Sequence, residues 1–301
     1  MAQLNASTVY GDLTVTGTAN VINTIKGEPI DTMLKIEDKL YNGVDLTVKF
    51  ANEISNFSSA WTWIKSRITN NNYEGIHVCD YIPFTANDTL TSWTMNAQVA
   101  GINTYTNSNY NPTVYNHIDF ICKECWPKLS WTVDGTTYYT KWNLTNNNNG
   151  NSTTQSPWKA SNLYNVLNNR IYNYLPAELR NVIIEKGFLV SYRYSASGLL
   201  TEDNTWDWGT IGKLWCPTEV EVYGCKVWNN SGFSVGTSIQ YPIFANRSKI
   251  RVVNGSRCNW WLLTPRGGSS TSACIVNNTG DADYTSASYP SLYAPVCFRI
   301  S

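Results

Sequence analysis

Side chains able to do acid–base or nucleophilic chemistry are sparse. Only two histidines, His77 and His117, occur in 301 residues. His117 opens the apolar run His117-Ile118-Asp119-Phe120-Ile121, which reads as core or turn rather than as a general base. A Ser-His-Asp triad would also need a strained nucleophile turn beside His77 or His117; Gly232-Phe233-Ser234-Val235-Gly236 has the Gly-X-Ser-X-Gly form, but it follows a polar run rather than an apolar strand. Glycoside hydrolysis needs two carboxylates flanking one bond. Glu202/Asp203, Asp207, Glu219/Glu221 and Asp281/Asp283 are the candidates, and no spacing singles out a pair. Gly267-Gly268 follows an apolar run but opens no helix, so it lacks the form of a phosphate cradle. Cys122-Lys-Glu-Cys125 is a CxxC without a second pair at zinc-ribbon spacing. The eight cysteines are therefore expected to be buried thiols. The expectation is a protein that is not an enzyme, with no catalytic residue, no cofactor and no metal.

Recognition chemistry is better represented. Trp260-Trp261-Leu262-Leu263 and Val296-Cys297-Phe298-Arg299-Ile300 bracket a run dominated by Ser, Thr, Asn, Asp, Gly and Tyr. Tyrosine supplies contact area at low entropy cost, while Ser, Asn and Gly supply adaptable hydrogen bonding. The candidate ligand-binding residues are Asn259, Arg266, Ser269, Ser270, Asn277, Asn278, Asp281, Asp283, Tyr284, Ser286, Tyr289 and Tyr293. Neighbouring Ser, Ala, Asp and Pro predict exposure of Tyr284, Tyr289 and Tyr293. Trp260 and Trp261 are adjacent, so a strand would turn one inward and the other toward the loop.

Composition limits the partners. Charged residues make up 15% and aromatics 13%, with 13 Trp, 19 Tyr and zero net charge. That balance gives no electrostatic footprint for nucleic acid or anionic membrane, and so many aromatics exclude a disordered chain. No apolar run approaches the ~18 residues of a membrane span, and Met1 to Asn5 show no secretory leader. The expected partners are neutral and polar.

Several elements must position the loop-rich face. Val9, Gly11, Leu13, Val15 and Gly17 alternate with polar residues, a strand pattern too short to bury its face without partner copies. Met33, Ile36 and Leu40 add barely a heptad of helix. Residues 1–45 thus read as an attachment and oligomerisation segment, with a trimer favoured, and residues 46–301 as the main domain. Phe57, Trp61, Ile64 and Ile68 mark one apolar helical face. Strands are predicted over Gly75–Phe84, Ser92–Ile102, Val114–Cys122 and Trp131–Trp142, the last turning at Asp134-Gly135. Residues 145–154 form a loop with nothing apolar to bury. Ser156-Pro157 caps a helix reaching Tyr174, with Leu163, Val166, Leu167, Ile171 and Tyr174 as its buried stripe. A short helix over Glu178–Ile184 follows. Short strands are then predicted at Phe188–Tyr194, Gly212–Cys216, Tyr241–Phe244, Trp260–Leu263, Cys274–Val276 and Val296–Ile300. Helices and strands without βαβ alternation indicate an α+β fold.

Between residues 156 and 301 the chain resembles a domain of gut bacteria and their phages related to the C-type lectin fold. The carriers are the capped Trp158–Tyr174 helix, Leu175-Pro176-Ala177-Glu178-Leu179-Arg180, Leu214-Trp215-Cys216-Pro217-Thr218-Glu219-Val220, Tyr241-Pro242-Ile243-Phe244 and Trp260-Trp261-Leu262-Leu263-Thr264-Pro265. That family usually reads Trp-Trp-Leu-Arg-Ser-Pro late in the domain and Gly-Val-Arg-Pro-Ala in its last strand. Leu263 and Thr264 replace its Arg and Ser, and Ala294-Pro295-Val296-Cys297 replaces Gly-Val-Arg-Pro. The resemblance implies buried-arginine roles for which Arg266 or Arg299 are the substitutes. The same fold carries receptor-binding proteins varied by diversity-generating retroelements, in which a C-terminal stretch rich in Asn, Tyr, Ser, Thr and Asp meets ligand. The calcium signatures of true C-type lectins are absent, leaving Asn278, Asp281 and Asp283 as weak cation candidates. Cys258, Cys274 and Cys297 lack the flanks of the formylglycine-generating relatives. Val9 to Thr18 is similar to short segments of phage fibre proteins.

Together these readings imply a phage virion protein, in the head or tail fibre or in decoration, assembled in the host cytoplasm and displayed on the virion surface. Its N-terminal segment would join other virion proteins, and its C-type-lectin-like domain would bind a host-surface or mucus glycan or protein. A purely structural decoration protein and a glycan hydrolase are the alternatives.

Overall fold

A computed structural model describes residues 24–25, 28–29, 41–88, 90–105, 116–148, 156–191, 206–228 and 239–301. The chain divides into two compact units, Met1–Tyr41 and Asn42–Ser301. In the first, β1 (Thr24–Ile25) pairs antiparallel with β2 (Glu28–Pro29). The strand expected over residues 9–18 and the helix over 33–40 lie outside the described residues.

The second unit is mixed α+β, with most of its order in strands. Short helices at Leu46–Lys49 and Ala51–Ile54 precede a ten-residue helix, Ala60–Thr69. Ser59 and Thr62 form a reciprocal capping box that fixes its start. This start leaves Phe57 off the apolar face and 39% exposed, while Trp61, Ile64 and Ile68 are buried as expected.

β3 (Tyr81–Asn87), β4 (Ser92–Ile102) and β5 (Ile118–Cys122) follow. β3 begins later than expected because the Asp80 carboxylate takes the N–H groups of Val44 and His77, holding the preceding residues in turns. β6 (Ser130–Val133) and β7 (Thr136–Tyr139) make the expected hairpin, with positive φ at Asp134 and Gly135. The helix expected from Ser156 to Tyr174 is broken. Pro157–Ala160 ends at an extended Ser161, whose hydroxyl caps Asn162–Val166, and a π-helical stretch at Leu167–Ile171 leads into Tyr172–Tyr174. Ala177–Arg180 is helical, but β8 (Ile183–Ile184) takes the end of the expected short helix.

β9 (Gly187–Ser191) pairs with β10 (Trp206–Thr210). The strand expected at Gly212–Cys216 reduces to one bridge, Trp215 to Cys297, because the Asn168 amide oxygen takes the N–H groups of Lys213 and Leu214. Thr218 and Glu221 close a second capping box around the unforeseen helix Glu219–Tyr223. Tyr241–Phe244 forms a turn rather than a strand, closed by Phe244 N–H on the Tyr241 carbonyl. β11 (Arg251–Val253) and β12 (Ser256–Cys258) form a hairpin at Asn254-Gly255. β13 (Trp260–Pro265), β14 (Ser272–Val276) and β15 (Ala282–Ser286) make a three-stranded sheet, and β16 (Cys297–Ile300) ends the chain.

The central sheet has the order β3-β4-β5-β16-β8, and alternation gives it two chemically different faces. Phe120 and Phe298 are cross-strand partners whose rings stack at 5.3 Å. Trp61 lies edge-on to Phe84, Phe120 and Phe298 at 5.9–6.1 Å, seating the Ala60–Thr69 helix on that face. The opposite face carries Asp119 directly across from Arg299. Arg299 Nε and Nη2 donate to the two Asp119 oxygens at 2.6 and 2.8 Å. Tyr241 Oη donates to Asp119 at 2.7 Å, and Lys186 Nζ donates to Tyr241 Oη and Glu221 at 2.6 and 2.5 Å. Tyr105 Oη adds a bond to Glu221 at 2.8 Å. The two acids and two bases are all buried. Burial alone would raise the Asp119 carboxyl, but Arg299 and Lys186 outweigh it and hold Asp119 well below the ordinary carboxylate range.

Breaking such a pair leaves an uncompensated buried charge. Asp119→Asn is expected to cost about 3–5 kcal/mol in urea melts at neutral pH, whereas replacing the pair together, Asp119→Leu with Arg299→Met, should cost much less. Because the folded-state value of Asp119 is depressed, its contribution is complete above the unfolded value of about 4. It is lost as pH falls through the folded value, so the wild-type midpoint should drop below about pH 4 and that of Asp119→Asn should drop less.

Candidate functional site

The sequence-selected stretch is held by β13, β14 and β15, with β15 at the sheet edge. All six residues of β13 are buried. Trp260 and Trp261 are both fully buried, contrary to the expectation that one supports the loop. Trp260 stacks on Phe244 at 6.2 Å, and Trp142 donates its indole N–H to the Leu262 carbonyl, so β13 is covered rather than half exposed.

Register divides the candidate residues. Tyr284 and Ser286 lie opposite Cys274 and Ser272, while Asp283 lies opposite Ile275 and points the other way. The Arg266 guanidinium sits 3.4 Å over the Tyr284 ring and 5.6 Å from Trp228. Trp228 meets Tyr284 edge-on at 4.6 Å and remains 37% exposed. Arg266, Tyr284 and Trp228 therefore form one cationic–aromatic cluster.

The other candidates are dispersed. Asn277 Oδ1 accepts from Thr279 and Asp281, and Thr279 Oγ1 donates to Asp281, so these groups close their own turn. Asn259 Oδ1 accepts from Asn278 N–H at 2.7 Å. Ser286 donates to Asn146. Tyr289 is exposed, Tyr284 is half-buried, and Tyr293 is half-buried and packed against the core. Exposure of all three tyrosines thus holds fully for one. Ser269 and Ser270 sit in the loop after Arg266, half-buried.

Trp228 is the member sequence reasoning missed, because it lies outside the stretch bracketed by the late apolar anchors. Its setting before a run of small polar residues was the available signal. Three contacts fix it. Its N–H donates to the buried Glu219 carboxylate at 2.9 Å, its carbonyl accepts from Gly267 N–H at 2.7 Å, and its indole N–H reaches the Ala282 carbonyl at 3.2 Å. Glu219 also accepts from Val227 N–H, and its own N–H is taken by the Thr264 hydroxyl. Of Arg266 and Arg299, Arg299 is buried and Arg266 is half-buried.

A second support is Asn148, a polar residue fully buried in the loop that has nothing apolar to bury. Its side-chain amide donates to the carbonyls of Ser269, at 2.8 Å, and of Ser272, and its backbone N–H to that of Ser270. Residues 149–155 lie outside the described residues.

The candidate acids are placed as follows. Glu219 and Glu221 are buried and fully engaged in structure. Asp281 is exposed and Asp283 half-buried. Glu202 and Asp203 are outside the described residues, as is the Asp207 side chain. His117 is buried, its Nε2 accepting from Tyr105 N–H at 3.3 Å. Among the described residues, no group of three or more His, Cys, Asp or Glu side chains is placed to hold a metal. All eight cysteines are free thiols, and seven are buried, Cys225 being exposed.

Residues 134–301 match the model of a family described as a domain of unknown function, DUF6273. The chain belongs to this family. The DUF6273 match starts in the β6–β7 turn and takes in β8 and β16, the three-stranded sheet and the Trp228–Arg266–Tyr284 cluster. β3, β4 and β5 precede it, so the central sheet of this DUF6273 member is completed by residues outside the match. No curated protein and no solved structure matches the chain.

Removing the Asn148 side chain takes the amide donor from the Ser269 carbonyl, whereas that of Ser272 keeps the Arg266 N–H. Asn148→Ala is expected to lose about 1–3 kcal/mol in chemical denaturation. Hydrogen exchange of amides 266–272 should quicken while that of β5 and β16 is unchanged.

Proposed function

We propose that this chain is a phage virion protein whose main domain, built as a C-type-lectin-like fold, binds a host-surface or mucus glycan without catalysing a reaction. The observation that carries the binding reading is the Trp228–Arg266–Tyr284 cluster, an exposed indole pinned by backbone bonds beside a guanidinium. An indole face packs against the C–H face of a sugar ring, and a guanidinium donates to hydroxyl or carboxylate oxygens in fixed directions. Both groups are held before ligand arrives, which lowers the ordering cost of binding. The virion placement rests on the fibre-like N-terminal segment and on the likeness of the late motifs to a lectin-fold domain of gut bacteria and their phages. The N-terminal segment would supply contact with other virion proteins and a trimeric arrangement.

A glycan array probed with the full chain, followed by calorimetry on a positive glycan, tests the reading. Trp228→Ala and Tyr284→Ala should each weaken binding by about 1–2 kcal/mol, roughly 5- to 30-fold, with the melting temperature little changed. Equal binding by wild type and Trp228→Ala would remove the cluster from the ligand site. Release of reducing sugar from the bound glycan would replace the non-catalytic reading with a hydrolase.

A further inference from the structure

The buried polar layer holds, besides the Asp119–Arg299 pair, a lysine pressed against a second acid. Lys186 Nζ and Glu221 Oε1 lie 2.5 Å apart, and both side chains are wholly buried. Their backbones are pinned. Lys186 donates its N–H to the Gly212 carbonyl and accepts from Ile211 N–H, while Glu221 donates its N–H to the Thr218 hydroxyl and accepts from Tyr241 N–H. Four aromatic rings, of Tyr105, Phe188, Trp215 and Tyr241, have their centres 4.3–5.0 Å from Nζ.

Such a shell changes what the two groups can do. In water, solvation keeps an ammonium and a carboxylate charged, and neither attacks the other. Inside an aromatic enclosure charge is costly, so the neutral amine and carboxylic acid draw close in free energy to the ion pair. One proton crossing the short contact interconverts the two states. The carboxyl carbon is one bond beyond Oε1, near the ~3–3.5 Å separation from which aligned groups react, and folding has already met the entropy of bringing them together.

The groups around Glu221 complete the arrangement. Thr218 N–H donates to Oε2 at 2.7 Å, where it can hold developing negative charge. Tyr105 Oη donates to Oε1 at 2.8 Å and so favours departure of that oxygen. Tyr241 Oη accepts from Nζ at 2.6 Å and donates its own proton to Asp119, which steers the nitrogen. Asp119 itself is 3.9 Å from Nζ and engaged with Arg299 through both oxygens, leaving Glu221 as the acid the lysine meets. Asp119 and Arg299 neutralise each other, so joint loss of the Lys186 and Glu221 charges keeps the layer neutral.

We propose that Lys186 and Glu221 condense in the folded chain to an intramolecular amide joining Nζ to the Glu221 carboxyl carbon. The ammonium first gives one proton to Oε1. The freed nitrogen lone pair attacks the carbon, with the negative charge on Oε2 held by Thr218 N–H. The nitrogen then gives a second proton to the Oε1 hydroxyl, and the C–Oε1 bond breaks as water leaves. One C–N bond replaces one C–O bond, both protons leave in the water, and nothing is oxidised or reduced. The bond ties the residue before β9 to the Glu219–Tyr223 helix, which also holds Trp228 through Glu219.

The full chain, purified folded and then denatured, is weighed intact by mass spectrometry. It should be lighter by one water than its sequence requires. Trypsin, which does not cut after an acylated lysine, should release one branched peptide whose fragment ions join Lys186 to Glu221. Lys186→Arg keeps a cation opposite Glu221 and should have its full sequence mass, as should Glu221→Ala. A folded wild type at full sequence mass overturns the proposal, as does a lost water that maps to other residues or persists in Lys186→Arg. The wild-type mass needs no substitution, so misfolding of a variant does not rescue the proposal.

Discussion

The buried Asp119–Arg299 pair is the constraint from which the rest of the second unit follows. The two residues lie 180 positions apart, yet they are direct cross-strand partners and bond through both carboxylate oxygens. Placing them together fixes the register of β16 on β5. A slip of one residue would put Arg299 among the phenylalanines under Trp61 and strand both charges in apolar surroundings. The pairing thereby selects which face of the sheet receives the Ala60–Thr69 helix and which receives the polar layer.

That polar layer is closed by residues from elements remote in sequence. Lys186 precedes β9, Glu221 belongs to a five-residue helix, and Tyr105 and Tyr241 come from irregular segments. Charges and hydroxyls satisfy one another, as a buried network requires to avoid large desolvation costs. The same five-residue helix also serves the surface. Glu221 turns into the network, while Glu219, two positions earlier, holds the backbone of Trp228. The proposed ligand face is thus anchored to the core electrostatics through one turn of helix.

Rigidity of this kind suits recognition. The loop after β13 is short of apolar residues and would pay a large ordering cost alone. Asn148 removes much of that cost beforehand by donating to its carbonyls from beneath, and Glu219 does the same for the Val227–Trp228 backbone by accepting its N–H groups.

Local signals in the sequence determined much of the element list. Period-two alternation located β4, Asp134-Gly135 the β6–β7 hairpin, Ser156-Pro157 a helix start, and the absence of βαβ alternation the α+β class. The apolar anchors around residues 259–293 located the loop-bearing sheet. Where local pattern and tertiary contact disagreed, contact prevailed. Asn168 took the backbone donors that a strand at Gly212–Cys216 would have used, Ser161 split an otherwise continuous helix, and both faces of β13 were covered, burying Trp260 and Trp261 together. Only the tertiary structure could pair Asp119 with Arg299, bring Trp228 to Arg266 and Tyr284, or set Lys186 against Glu221. Each joins residues tens to hundreds of positions apart, and residue type carries no record of which distant partner will satisfy a buried charge or leave an indole at the surface.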